Sequence, residues 1–344
     1  MSTGKIVIKK EKDKEGNKTK RINHYEQRGV LGKGSFGEVF LCVDTRESPP
    51  NQPQWAMKVL NRPSPLSGDD SIVREITVMK KLRHRNLVTL KEVIDDASNA
   101  QIFLVMEFVE HGALMDDVTE TNALPIETAR KYFRDIICGL AYLHVHGVVH
   151  CDLKPQNLFV TREDRIKIAD FGSSMFEAGT ALLDRNGSST SLLAAEDNSQ
   201  AEQHFQGNAA VGTPFFMAPE LFKSSDEIPE GVNPAVDIWS LGATLYMMII
   251  GRPPWMGRNE IELSRQIQLN ELKFPGKSPT GQDLESGAHL VDPHVKSLIK
   301  KMLVKETILR CELHEIFDHD WVTEEGAEPI ELQVRCVVCA VTSR

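Results

Sequence analysis

Eight residues, His150-Cys151-Asp152-Leu153-Lys154-Pro155-Gln156-Asn157, constrain this chain more than any other stretch. They put a carboxylate, an ammonium and an amide on one short loop. Such groups can position a polar substrate and offset its charge. Taken alone, the stretch also reads as a polar loop after a helix, with His150 packed and Asp152 a turn residue. The rest of the chain decides between the two readings.

The chain has 344 residues, enough for two domains or one bilobal unit with sizeable cores. Its net charge of −9 and pI near 5.7 argue against a general nucleic-acid binder, so no nucleic-acid partner is expected. The six cysteines are mostly scattered, which suits a reducing compartment without a disulfide framework. Cys336 and Cys339 form a lone C-x-x-C, too few ligands for a structural zinc site. The polar, lysine-rich N-terminus shows no signal peptide. The most apolar run, Ile238 to Ile250, is too short to span a bilayer and reads as a buried helix. The expected location is cytoplasmic, with nuclear access, and no membrane partner is expected.

Residues 1–24 alternate Lys with Asp and Glu and read as a flexible basic arm. Next comes Leu31-Gly32-Lys33-Gly34-Ser35-Phe36-Gly37-Glu38-Val39. A bare G-x-G-x-x-G is weak evidence, since dinucleotide folds also use it. Here β-formers follow (Val39, Phe40, Leu41, Val43), so a hairpin is predicted rather than the start of a helix. Trp55-Ala56-Met57-Lys58 follows. Ile72, Ile76, Met79 and Leu82 then recur at helical spacing around Glu75. Gln101 to Val109 reads as a buried strand running into a connector. Ile126 to His146 is a long amphipathic helix between Pro125 and Gly147. Ile166 to Ala169 alternates like a strand and ends in Asp170-Phe171-Gly172. Ala218-Pro219-Glu220 and the apolar helix begun by Asp237-Ile238-Trp239 complete the order.

These residues, from about Tyr25 to Trp321, resemble the eukaryotic protein kinases, with the octapeptide as an H-R-D-L-x-x-x-N catalytic loop in which Cys151 replaces Arg. The resemblance implies an α+β, bilobal fold: a small antiparallel β lobe with one main helix (25–109) and a larger, mostly helical lobe (110–322), with ATP in the cleft. It implies ATP with Mg²⁺, Mn²⁺ being an alternative. Asp152 orients the substrate hydroxyl, Lys154 reaches the transferred phosphate, and Asn157 and Asp170 hold metal. Lys58 pairs the α- and β-phosphates, with Glu75 as its partner. The glycine-rich residues 31–39 cover the phosphates, and Leu31 and Val39 cap the adenine, whose site also includes Ala56. Met106 is the gatekeeper, the backbone of Glu107 and Val109 bonds the adenine edge, and Phe159 forms its floor. Asp237 bonds the catalytic-loop backbone, although a plain helix cap is the simpler reading. Arg310 pairs with Glu220. Lys154 and Gly212-Thr213 look like the Ser/Thr branch. No G-x-x-x-x-G-K-[ST] is present, which excludes a P-loop NTPase.

Three stretches, 87–96, 166–172 and 321–329, resemble the calcium/calmodulin-dependent protein kinase kinases and the related kinases that activate SNF1/AMP-activated kinases. That similarity implies protein substrates that are themselves kinases, phosphorylated on an activation-loop Thr. Two departures stand out. The tail, 323–344, is acidic at Glu324, Glu325, Glu328 and Glu331, whereas calmodulin needs a basic target helix; calmodulin dependence is not expected. Cys151 replaces the Arg that normally receives an activation-segment phosphate, and Ala209 stands where its acceptor hydroxyl would be, four residues before Thr213. Activity without phosphorylation at that site is therefore expected. An insert over about 179–207, carrying Ser188, Ser189, Thr190, Ser191 and Ser199, reads as a polar extension open to phosphorylation.

Overall fold

Period-two alternation builds the first of two units. The computed structural model describes residues 6–12, 18–34, 37–62, 71–115, 123–177, 214–222 and 232–330. The chain divides at Gly112/Ala113. Ser35, Phe36, Ala209, Thr213, the insert, and Cys336 and Cys339 lie outside the described residues. In the first unit the strands are β1 (Ile8–Lys12), β2 (Lys18–Ile22), β3 (Tyr25–Gly34), β4 (Gly37–Asp44), β5 (Gln54–Asn61), β6 (Leu90–Ile94) and β7 (Gln101–Glu107), with one helix, α1 (Ser71–Lys81). They form one antiparallel sheet in the order β1-β2-β3-β4-β5-β7-β6.

Because side chains alternate across a strand, each strand feeds two faces. Cys42, Met57, Val59, Phe103 and Val105 bury one face together with Ile22, Tyr25 and Ile94. Leu60, Ile102 and Leu104 line another cluster with Ile72 of α1 and Val93. The helix face read from spacing shifts slightly: Ile72, Glu75, Val78 and Met79 are buried, while Ile76 is half-buried. Lys80 and Lys81 in its last turn suit the helix dipole.

The second unit is mainly helical. It contains α2 (Ile126–Val145), α3 (Ala235–Ile250), α4 (Glu260–Leu269), α5 (Pro293–Met302), α6 (Leu313–Phe317) and α7 (Asp320–Thr323). The apolar helix α3 is buried along almost its whole length. It lies so close to α5 that a Cβ at Gly242 would press on Met302 and Leu303. Four short strands, β8 (Val148–Val149), β9 (Leu158–Val160), β10 (Ile166–Ile168) and β11 (Met175–Phe176), pair as two ribbons, β8 with β11 and β9 with β10. Residues 150–157 and 169–174 therefore both run from one ribbon to the other. The topology alone sets the octapeptide beside the Asp170 turn.

One expectation is corrected. The sequence predicts a flexible arm over 1–24, yet β1 and β2 extend the sheet there. Lysines dominate the composition, but Ile22 is fully buried beside Tyr25, and Ile6 packs on the same cluster. The Ile6 N–H donates to Asp96 Oδ2 at 3.1 Å. The Asn23 N–H bonds the Val7 carbonyl, and the Asn23 side chain returns a bond to the Val7 N–H. Ile22→Ala should thus cost about 3 kcal/mol, as for a buried Ile in a packed core. Urea unfolding measures it; a loss below about 0.5 kcal/mol would mean that the arm is dispensable to the unit.

Candidate active site

In the first unit, β3 and β4 close the glycine-rich stretch as the predicted hairpin, with Lys33 opposite Glu38 and Gly34 opposite Gly37. Lys33 Nζ lies 2.8 Å from Glu38 Oε1, a pair across the exposed hairpin end. Gly37 has φ 144°, and a Cβ there would collide with the Val59 carbonyl of β5. Only glycine lets the two strands approach so closely. Leu31 is exposed.

Register carries these positions across the sheet. Gly32 stands opposite Val39, Val39 opposite Lys58, and Lys58 opposite Leu104. Ala56, buried, stands opposite Met106. Lys58 Nζ meets Glu75 Oε1 at 2.7 Å, with both side chains more than nine-tenths buried. Losing one partner of such a pair would strand the other charge away from water. At the end of β7 the Glu107 N–H donates to the Thr89 carbonyl, and the Val109 carbonyl accepts from the Gly112 N–H.

The second unit holds the octapeptide. Lys154 Nζ is 2.8 Å from Asp152 Oδ2. The Asn157 amide donates to the Asp152 carbonyl at 2.7 Å and to Asp152 Oδ2 at 3.0 Å. Asp152 remains partly exposed while Asn157 is buried. Two bonds then pin the strand that delivers Asp170. The Ala169 N–H donates to the Asn157 carbonyl, and His150 Nε2 lies 3.1 Å from the Ala169 carbonyl. Asp170 follows with φ 61°, a left-handed conformation unusual for a non-glycine residue. Phe171 is buried edge-on against the His150 ring. Phe159 is bridged to Ala113.

Asp237 holds this loop from below. Its Oδ2 accepts the His150 N–H and its Oδ1 the Cys151 N–H, each at 2.8 Å. A third bond, 2.8 Å, joins Oδ2 to His144 Nε2. Asp237 therefore anchors the loop rather than capping α3, which shows no side-chain cap. Burial works against its charge, but His144 and the charge and N–H of His150 outweigh it and hold the carboxyl below its ordinary range. Cys151 takes φ 65°, and its Sγ faces the Val149 carbonyl at 3.6 Å. Replacing Arg has left the loop backbone on its anchor.

Farther along, Arg310, fully buried, binds Glu220 through both oxygens at 2.6 and 2.9 Å and also donates to the Ala235 and Val304 carbonyls. Sequence reading missed His144, whose only hint was its place in the last turn of α2. It also missed Arg130 and Arg134. Arg130 binds Glu324 and lies over the Trp321 ring, while Arg134 donates to the Val322 and Glu328 carbonyls.

Among the described residues no group of three or more His, Cys, Asp or Glu could hold a metal ion. Magnesium-type sites take one or two protein oxygens together with substrate phosphates rather than a preformed protein cage. Asn157 fits such a role: its amide nitrogen is engaged by Asp152, which orients the amide and leaves the oxygen as its remaining polar atom.

Asp237→Asn would set an amide NH₂ against a loop N–H or its partners. The variant should lose about 2–4 kcal/mol of stability at pH 7, because a buried charged acceptor is removed. A carboxylate held below its unfolded pKa stabilises the fold above that pKa and ceases to do so as pH falls through the folded value. The deficit should narrow progressively below about pH 5. Denaturant unfolding of both proteins across pH 3–7 checks this; a deficit independent of pH would contradict it.

Comparison with known proteins bears on the same residues. The protein kinase domain family matches residues 25–322. Among curated proteins, serine/threonine-protein kinase GRIK1 of Arabidopsis thaliana is 33% identical, over 92% of this chain and 70% of its own length. A Caenorhabditis elegans calcium/calmodulin-dependent protein kinase kinase is 33% identical, over 94% of this chain and 57% of its own. Serine/threonine-protein kinase ssp1 of Schizosaccharomyces pombe is 33% identical, over 90% and 44%. The chain spans about half the length of the last two.

Proposed function

The chain belongs to the protein kinase domain family, and from that premise we propose that it is a protein serine/threonine kinase that uses ATP and a divalent metal and phosphorylates the activation-loop threonine of other protein kinases, independently of calmodulin. The observation that carries the active-enzyme part is that each unit keeps its own polar group: the buried Lys58–Glu75 ion pair in the first, and the Asp152–Lys154–Asn157 group on the Asp237 anchor in the second.

In this mechanism Lys58, fixed by Glu75, meets the α- and β-phosphates, and the hairpin ending at Gly34 and Gly37 lies over them. The Glu107 N–H and Val109 carbonyl are engaged within the fold, so the adenine edge meets the Glu107 carbonyl and the Val109 N–H. Asp152 orients the acceptor hydroxyl and takes its proton as that oxygen bonds the γ-phosphorus and the γ-phosphorus–oxygen bond to the leaving ADP breaks. Lys154, already 2.8 Å from Asp152, offsets charge that develops on the transferred group. Mg²⁺ held by Asn157 and Asp170 would neutralise the β- and γ-phosphates.

The upstream-kinase reading draws support from the relatives, one of which is itself named a kinase kinase. Calmodulin independence draws on the segment after α7, where Glu324, Glu325 and Glu328 are exposed or engaged with α2 rather than forming a basic helix. Independence from activation-segment phosphate draws on Cys151, which cannot bind a phosphate as Arg does. Its loop is already held by Asp237.

Radiolabelled transfer from ATP to a catalytically dead AMP-activated-type kinase domain tests the proposal. Asp152→Asn should lower kcat about 10²–10⁴-fold, the range for losing a general base, with nucleotide affinity unchanged. Ca²⁺-calmodulin and prior phosphatase treatment should leave the wild-type rate within about twofold, less than 0.5 kcal/mol of barrier. Transfer to a generic basic peptide but not to the kinase domain would overturn the substrate assignment. Strong calmodulin stimulation, or loss of activity after phosphatase, would overturn the regulatory one.

A further inference from the structure

The N-terminal hairpin has a charge pattern that the catalytic reading does not use. Residues 1–24 carry eight Lys and Arg against three Asp and Glu, in a chain whose net charge is −9. The register of β1 and β2 sets basic residues opposite one another: Lys9 against Arg21, Lys10 against Lys20, and Lys12 against Lys18. Like charges directly opposite in an antiparallel pair destabilise it. Hydrophobic anchorage at Ile6 and Ile22 holds the strands in that register anyway.

β1 is also a terminal strand of the sheet. Among the described residues, β1 pairs only with β2, so its outer edge offers a row of backbone donors and acceptors. Beside that edge Val7, Ile8 and Lys9 are exposed. Lysines on an edge ordinarily discourage pairing. Here they do so selectively: Lys10 and Lys12 share one face of β1, so an added strand with carboxylates at alternate positions on that face would offset their charge, whereas one with Lys there would be repelled.

We propose that the outer edge of β1 is a docking site for an extended, acidic segment of a partner protein, which adds to the sheet as an eighth strand. Main-chain hydrogen bonds would supply the affinity and alternating carboxylates the selectivity. The site is separate from the phosphotransfer machinery, so its failure and the failure of the kinase assignment are distinguishable.

A fluorescein-labelled heptapeptide alternating Glu and Val is the probe, titrated against the full chain by fluorescence anisotropy. Three comparisons accompany it: the same peptide with alternate backbone amides N-methylated, a Lys-Val counterpart, and phosphatidylserine vesicles. The Glu-Val peptide should bind and the N-methylated and Lys-Val peptides should not. The double variant Lys10→Glu/Lys12→Glu, both on one face of β1, should bind the peptide about tenfold more weakly, the loss of two ion pairs. Its unfolding midpoint should hold or rise, since two repulsive cross-strand pairs become attractive. Its transfer of phosphate to a short peptide should be unchanged. Equal binding of the N-methylated peptide would reduce the site to a diffuse basic patch and overturn strand addition. Preference for vesicles, concentration-dependent self-association through β1, or undiminished binding by the double variant would overturn it equally.

Discussion

A single buried carboxylate sets the geometry on which the chemistry rests. Asp237 sits without solvent exposure in the first turn of α3 and accepts the consecutive N–H groups of His150 and Cys151. Burying a charge is costly unless it is paired and hydrogen-bonded. Three donors, His144 among them, meet that condition. The loop is thereby drawn into a conformation that Cys151 adopts only with positive φ. Asp152, the next residue, inherits its position from that anchor.

The rest of the second unit can be read outward from there. Helix α3 is apolar on all sides because it is surrounded, and its glycine at 242 permits the close approach of α5. The two ribbons bring the Asp170 turn alongside, and the bond between the Ala169 N–H and the Asn157 carbonyl fixes the contact. Arg310 does for the Glu220 turn what Asp237 does for the octapeptide: one buried charge satisfies several backbone and side-chain partners at once. In the first unit, a strand register and a helix face produce Lys58–Glu75 by the same economy.

Much of this was legible because the residues concerned are distinctive in kind and spacing. The octapeptide and the Asp170 turn stood out in kind and spacing, whereas the pairings of Lys58 with Glu75 and of Arg310 with Glu220 were read from the resemblance to the protein kinases. The hairpin reading of the glycine-rich stretch followed from the β-formers after it. His144 was not legible, since a histidine near the end of an amphipathic helix differs little from any half-exposed one until α3, 93 positions on, is brought against it. The N-terminal strands were hidden by their lysines. Charge suggested a solvated arm, while the few apolar residues that decide the matter, Ile6 and Ile22, gain meaning only once Tyr25 and Phe103 form a core for them. Local composition was outweighed by tertiary burial.

Hydrogen exchange at the His150 and Cys151 amides tests the anchoring of the catalytic loop most directly. If Asp237 holds the loop, both amides exchange only through large-scale opening, as slowly as the core of α2. In Asp237→Asn they should exchange at least tenfold faster than the core of α2 in the same variant, a loss of about 1.4 kcal/mol or more of local protection beyond the global destabilisation. Rapid exchange in the native enzyme, or equal rates in the two proteins, would show that the loop takes its shape from something other than this carboxylate.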